Sequence, residues 1–180
     1  MTEPHIRPAT PADAVAIAAI YAHAVTSGTA SFELEPPDAA EIGRRMAAVL
    51  DGGHPWLVAE TAADGIAGYA YAGPYRPRPA YRSTVEDAIY IRPDRHRSGL
   101  GRRLLAALII EATARGFHQM VAVVGDSASA GSIGLHRALG FREVGVLRAV
   151  GFKHGRWLDT VILQRELAPM GGAGAPPPAL

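Results

Sequence analysis

Four clusters of residues in this chain carry functional groups at spacings that can do chemistry. Glu86 stands in the apolar stretch Ser83 to Ile91, just ahead of Ile89-Tyr90-Ile91. Burial there would raise its pKa, as a general base working near neutrality requires. It would suit removal of a proton from an ammonium group, directly or through one water. The alternative is a solvent-facing strand residue or an ion-pair partner for a nearby arginine. Asp87 is adjacent, but alternation along a strand points it to the opposite face.

Arg95-His96-Arg97-Ser98-Gly99-Leu100-Gly101-Arg102 lies between a strand and a helix. Gly99 and Gly101 let the backbone approach a ligand, and the following helix start offers free N–H groups and a dipole that favours an anion. A pyrophosphate fits, with Arg97, Arg102 and Arg103 adding charge. No Gly-Lys-Ser/Thr follows, and position 104 is Leu104, so neither the P-loop nor the dinucleotide fingerprint is present. The alternative is a glycine-bearing helix start with solvated arginines.

Tyr75-Arg76-Pro77-Arg78-Pro79-Ala80-Tyr81-Arg82 is a proline-stiffened loop rich in arginine. Arg76 and Arg78 could grip a carboxylate or phosphinate by paired hydrogen bonds, with Tyr75 and Tyr81 as walls. The alternative is a solvated loop. His136, on a short helix, could donate a proton near neutral pH; the alternative is a helix-surface or satisfied core histidine.

The elements that must hold these groups follow from local signals. Ile6-Arg7 is a short strand. Thr10-Pro11-Ala12-Asp13 starts a helix with Ala14, Ile17, Ala18 and Tyr21 on its apolar face. Thr26 to Pro37 is a loop, Asp38 caps a second helix, and Gly52-Gly53 ends it. Trp56–Thr61 and Ile66–Ala72 form a hairpin about Asp64-Gly65. Gly73 to Arg82 is irregular, and Ser83–Ile91 is a strand. Gly101–Arg115 is helical, Met120–Val124 is a buried strand and Gly131–Leu139 is a short helix. Arg142–Val150 and Trp157–Gln164 pair as strands across Gly151 to Arg156. The order β-α-α-β-β-β-α-β-α-β-β gives a mixed, mostly antiparallel sheet flanked by helices, an α/β (α+β) class.

The chain has 180 residues, enough for one domain, assigned here to residues 1–167. The Pro/Gly/Ala-rich residues 168–180 are expected to be a disordered tail. A net charge of +1 argues for neither nucleic acid nor a membrane surface as partner, and neither is expected. The absence of cysteine excludes disulfides and a covalent cysteine intermediate, and is compatible with a cytoplasmic setting. No secretory signal pattern is visible. The histidines show no paired ligand spacing, so no metal is expected.

The glycine loop resembles the acetyl-CoA pyrophosphate loop of GNAT acetyltransferases, Gln/Arg-x-x-Gly-x-Gly/Ala, with His96 where the family has Gln or Arg. The resemblance runs from Ile6 to Leu167. Pro55-Trp56-Leu57-Val58-Ala59-Glu60, Ser83-Thr84-Val85-Glu86, His136-Arg137-Ala138-Leu139-Gly140-Phe141 and Gly151-Phe152-Lys153-His154-Gly155-Arg156-Trp157 resemble the branch that N-acetylates phosphinothricin, methionine sulfoximine and methionine sulfone. The resemblance implies the GNAT fold, acetyl-CoA as co-substrate, a small amine substrate and a homodimer. It places the base at Glu86 and a thiolate-protonating acid at His136. It puts coenzyme contacts on the backbone of Ile89, Tyr90 and Ile91 and on Arg97, Ser98, Gly99, Leu100, Gly101 and Arg102. Ser129 and Ser132 fall where the family has Asn-x-x-Ser, and Phe32 falls on a substrate-pocket aromatic. Another amine acceptor (a protein N-terminus, an aminoglycoside, a polyamine) or a non-catalytic CoA-binding module are the rival readings.

Overall fold

In the computed structural model, residues 4–62 and 65–167 are described. The proposed tail from residue 168 and Asp64 of the expected hairpin turn lie outside them. The elements are β1 (His5–Pro8), α1 (Ala14–Ser27), α2 (Ala39–Asp51), β2 (Trp56–Thr61), β3 (Gly65–Pro74), β4 (Thr84–Ile91), α3 (Leu100–Ala114), β5 (Gln119–Gly125), α4 (Ala130–Ala138), β6 (Arg142–Lys153) and β7 (Arg156–Glu166). Their order is the one the sequence predicts. They build a seven-stranded sheet in the order β1-β2-β3-β4-β5-β7-β6. Only the central β4–β5 pair is parallel.

Strand alternation sorts the apolar side chains into two layers. Leu57, Ala70, Ala72 and Val85 face α3, whose Leu104, Leu105 and Leu108 are wholly buried. Burying each leucine contributes roughly 2 kcal/mol. Trp56, Val58 and Tyr69 face the other way, onto Ile17, Tyr21 and Val25 of α1 and Met46 of α2. Asp38 caps α2 by accepting the Glu41 N–H at 2.7 Å. Ahead of α1, Pro11–Asp13 forms a 3₁₀ turn, and Asp13 accepts the Thr10 N–H at 2.7 Å.

One connection differs from expectation. Gly151 to Arg156 is not a loop: β6 continues to Lys153 and pairs with Arg156. The turn is only His154-Gly155, with φ of 50° and 72°. Positive φ at both central positions makes the tight primed turn that matches strand twist, so the hairpin needs no longer connection.

The parallel β4–β5 ladder is short. It runs from Thr84↔Gln119 to Asp87↔Ala122 and stops there, while both strands continue. Beyond Asp87 the two strands part and leave a cleft through the middle of the sheet.

Candidate active site

The cleft is about 300 Å³. Its walls include Glu86 to Tyr90 on β4, Ala122 to Gly125 on β5, Ser129, Ser132 and His136 at α4, Tyr71 on β3 and Ala30 to Phe32 in the loop after α1. Because neighbouring strand residues alternate, Glu86 lies on the sheet face covered by α1. Asp87 lies on the face covered by α3 and α4.

Glu86 is partly buried, and Arg76 Nη1 stands 3.7 Å from its Oε2. Burial raises its pKa, the Arg76 charge pulls it back down, and Asp87 adds a further push upward; the net shift is up. Tyr71 beside it is held neutral, pushed up to about 12 chiefly by burial.

His136 is 2% exposed. Its Nδ1 is 2.7 Å from the Ser132 carbonyl, and its Nε2 is 2.9 Å from Asp87 Oδ2. The Phe141 ring meets it edge-on at 5.0 Å. Both ring nitrogens are therefore engaged within the protein, as in a satisfied core histidine. Burial works against its charged form. The Asp87 hydrogen bond and charge, with the Ser132 carbonyl, outweigh it, and His136 is held above the usual histidine value.

The glycine loop is formed as its composition requires. Gly99 adopts φ 81° and Arg97 φ 59° immediately before α3. A Cβ on Gly101 would stand 3.4 Å from Leu135 and 3.7 Å from Ile91, so the first turn of α3 sits against the open end of β4 and against α4. His96 Nε2 contacts the Ile91 carbonyl at 2.9 Å, and Ser98 Oγ donates to the Arg95 carbonyl at 2.7 Å. Leu100 is buried as an anchor. Arg97 and Arg102 are exposed and have no ion-pair partner among the described residues. First-turn N–H groups, an αL glycine and two free guanidinium groups suit a diphosphate.

Of the other sequence-derived candidates, Phe32, Ile89, Tyr90, Ser129 and Ser132 line the cleft, whereas Ile91 ends β4 next to α3. The Ser129 hydroxyl donates to the Gly125 carbonyl at 2.9 Å. Tyr75, Arg78 and Tyr81 do not line the cleft. Tyr75 packs edge-on against Tyr81 at 5.7 Å and under the Arg76 guanidinium at 4.3 Å. Arg78 is exposed and has no ion-pair partner among the described residues.

Composition and spacing did not single out Asp87 as a functional group, nor assign Lys153 and His154. A carboxylate on the core-facing side of a buried strand needs a partner, and that was the available signal for Asp87. Lys153 is 4% exposed and donates to the Ser31 carbonyl at 2.7 Å, while His154 Nε2 contacts the Gly28 carbonyl at 3.2 Å. Together they tie the β6–β7 hairpin to the loop that carries Phe32. From the other side, the Tyr21 hydroxyl meets Ser31 Oγ and Glu33, both at 2.8 Å.

Among the described residues no cluster of three or more histidines, aspartates or glutamates is placed to hold a metal. No helix there is long and apolar enough to cross a membrane.

Residues 6–162 match the Acetyltransferase (GNAT) domain family. The chain is a GNAT acetyltransferase. This GNAT chain is 56% identical over 156 residues to the phosphinothricin N-acetyltransferase of Alcaligenes faecalis, covering 86% of this chain and 78% of that one. It is 46% identical to the L-methionine sulfoximine/L-methionine sulfone acetyltransferase of Pseudomonas paraeruginosa, covering 91% and 95%. A GNAT phosphinothricin acetyltransferase from Sinorhizobium meliloti, solved in complex with acetyl-CoA, superposes with a TM-score of 0.92 at 44% identity, covering 98% and 94%. The parted strands and the glycine loop of this GNAT domain thus occur in a fold known to hold acetyl-CoA.

Proposed function

We propose that this protein transfers the acetyl group of acetyl-CoA to the α-amine of a small amino acid carrying a second polar or anionic head, of the phosphinothricin, methionine sulfoximine or methionine sulfone type. The observation that carries this reading is Glu86, with a raised pKa, in the wall of the cleft and 3.7 Å from Arg76. A base beside a guanidinium group is what an amine with its own carboxylate needs: one takes the proton, the other holds the acid.

Acetyl-CoA supplies the thioester. First-turn N–H groups of α3, with Arg97, Ser98 and Arg102, hold its diphosphate, and Gly99, Leu100 and Gly101 shape that loop. The edge of β4 at Ile89, Tyr90 and Ile91, free of β5, takes the pantetheine arm and offers an N–H to the thioester carbonyl. Ser129 and Ser132 face the same arm. Glu86 removes the ammonium proton, so the amine attacks directly in a ternary complex. Phe32 shapes the acceptor pocket, with Arg76 at the carboxylate and Tyr75, Arg78 and Tyr81 behind it.

The protein is read as a cytoplasmic homodimer. Support for the dimer is the exposed apolar side chains Leu147, Val150 and Phe152 on the edge strand β6, with Trp157 opposite Phe152 on β7.

The test is release of coenzyme A thiol from acetyl-CoA with phosphinothricin, methionine sulfoximine and methionine sulfone. Turnover with at least one of them is expected. No turnover with any, while acetyl-CoA still binds, would sink the acceptor class.

A further inference from the structure

Phe32 and Glu86 both stand in the wall of the cleft. The Phe32 ring is held by its edges. A Cβ added to Gly125 of β5 would lie 2.9 and 3.4 Å from ring carbons Cε1 and Cδ1. One added to Gly151 of β6 would lie 2.6 and 3.0 Å from Cδ2 and Cζ, and closer still to Cε2. The two glycines therefore flank opposite edges of one ring. Neither has a positive φ, so neither is needed for its backbone freedom. What each supplies is the absence of a side chain. Gly125 pairs with Thr160 and Gly151 with Leu158, so the slot crosses β7.

Both sides of the slot are fixed. The loop that carries the ring is tied through Ser31 to Lys153 and Tyr21, at 2.7 and 2.8 Å, and through the Thr29 hydroxyl to Asp126 at 3.1 Å. On the strand side, β6 bulges at residues 148–150, which together oppose Asp159 alone. The Asp159 carboxylate accepts the Ala149 N–H at 3.0 Å, Arg148 Nη1 at 2.7 Å and the Ser127 hydroxyl at 3.0 Å. Ala149 takes a φ of 52° there. A bulge pinned in this way sets where the next residue of the strand meets its neighbours, and that residue is Gly151.

We infer that Gly151 is a positioning residue that sets acceptor specificity: its missing side chain lets the Phe32 ring sit back in the slot and leaves the cleft room for the far end of the acceptor. This rests on the acceptor reading above. Gly151 is not itself in the cleft wall, whereas Phe32 and Gly125 are. A methyl group at 151 therefore meets the ring from behind. Restoring an ordinary carbon–carbon separation moves the ring by about 1 Å. Gly125 blocks a slide along the ring plane, and the tied loop cannot retreat. The ring tips into the cleft and shortens the acceptor that fits.

The experiment compares wild type, Gly151→Ala, Phe32→Leu and the double variant. Thiol release at saturating acetyl-CoA gives kcat/KM for methionine sulfone and for its S-ethyl homologue, ethionine sulfone. One methylene in a confined pocket changes kcat/KM by roughly tenfold or more. Gly151→Ala should lower the ethyl-to-methyl ratio by roughly that factor, with KM for acetyl-CoA within about twofold of wild type. Phe32→Leu should raise the ratio. In the double variant the ratio should recover, because leucine has no ring for the new methyl group to push. A Gly151→Ala enzyme that loses activity equally on both sulfones, keeps the wild-type ratio or favours the ethyl homologue overturns the inference. So does a double variant without recovery. Should Gly151→Ala fail to fold, Phe32→Leu decides, and an unchanged ratio overturns it. Wild type that turns over neither sulfone while still binding acetyl-CoA defeats the acceptor reading instead. Urea unfolding then decides the slot: Gly151→Ala should lose stability and Phe32→Leu should recover part of that loss, and a loss left unrecovered overturns the inference.

Discussion

Lys153 donates its ammonium group to the backbone carbonyl of Ser31 at 2.7 Å, joining positions 122 residues apart. Both residues are buried, at 4% and 7% exposure. The contact fixes the loop that puts Phe32 in the cleft wall against the β6–β7 hairpin. Burial depresses the Lys153 pKa, and the Glu33 charge opposes that only in part. Replacing Lys153 by Met should keep the packing and lose the tie. A hydrogen bond from a charged donor contributes about 2 kcal/mol, so Lys153→Met should lower stability by an amount of that order or less. KM for the amino-acid acceptor should rise more than KM for acetyl-CoA, read from steady-state kinetics with each substrate varied in turn. Equal changes in both would assign Lys153 to general stability.

The same loop approaches β5 closely. A Cβ on Gly125 would lie 2.6 Å from the Thr29 carbonyl oxygen and 2.9 Å from Phe32. Backbone cannot swing aside as a side-chain tip can, so Gly125→Ala must push the loop away. A severalfold rise in acceptor KM and a drop in melting temperature are expected. A variant with wild-type kinetics would show that the loop moves freely and does not set the pocket.

Glu86 must be unprotonated to act as a base, and its pKa is raised above the usual 4.5. Activity should therefore fall on the acid side as pH drops through that raised value, with the limb lying above the ordinary glutamate range. Arg76 opposes the rise. Arg76→Ala should shift the acid limb to still higher pH and also raise KM for an acceptor that carries a carboxylate. Glu86→Gln should remove the limb and lower kcat by roughly 100-fold or more. Rate profiles over pH for the three proteins settle the assignment.

Arg7 on β1 donates to both oxygens of Asp13, at 2.8 and 2.9 Å. That hydrogen bonding, partly offset by burial, holds the Asp13 carboxyl down at about 2, against an ordinary 3.8. A depressed folded-state pKa means stability that is present above 3.8 and lost as pH falls towards 2. Asp13→Asn should cost about 2 kcal/mol at neutral pH, and the difference from wild type should narrow below pH 4. Urea titrations at neutral and acid pH give the comparison. A difference that does not change with pH would mean that Asp13 acts by shape rather than charge.

The elements were legible in the sequence because their signals are local. Asp38 before α2, the glycines after α2, α3 and α4, and alternation around Val85 each act within a turn or a strand. The glycine loop ahead of α3 was legible for the same reason: Gly99 and Gly101 shape a few consecutive bonds. Glu86 was visible as a carboxylate in an apolar strand, and the family resemblance proposed it as the base. The His154-Gly155 turn was missed by a few residues, because glycine at 151 also resembles a chain break while only its β-ladder shows it to be strand.

What the tertiary structure decided are the contacts that cross the chain. Alternation correctly turned Asp87 away from Glu86, but nothing local could say that it would meet His136, which is 49 residues on. That meeting depends on where β4 parts from β5 and on how α4 lies over the gap. Likewise Lys153 finds Ser31 only after the sheet has been closed by β7 and β6. Local chemistry sets φ, ψ and side-chain direction over a few residues. Which distant groups meet is set by the packing of whole elements, where many small apolar contacts together fix a register that no short stretch contains.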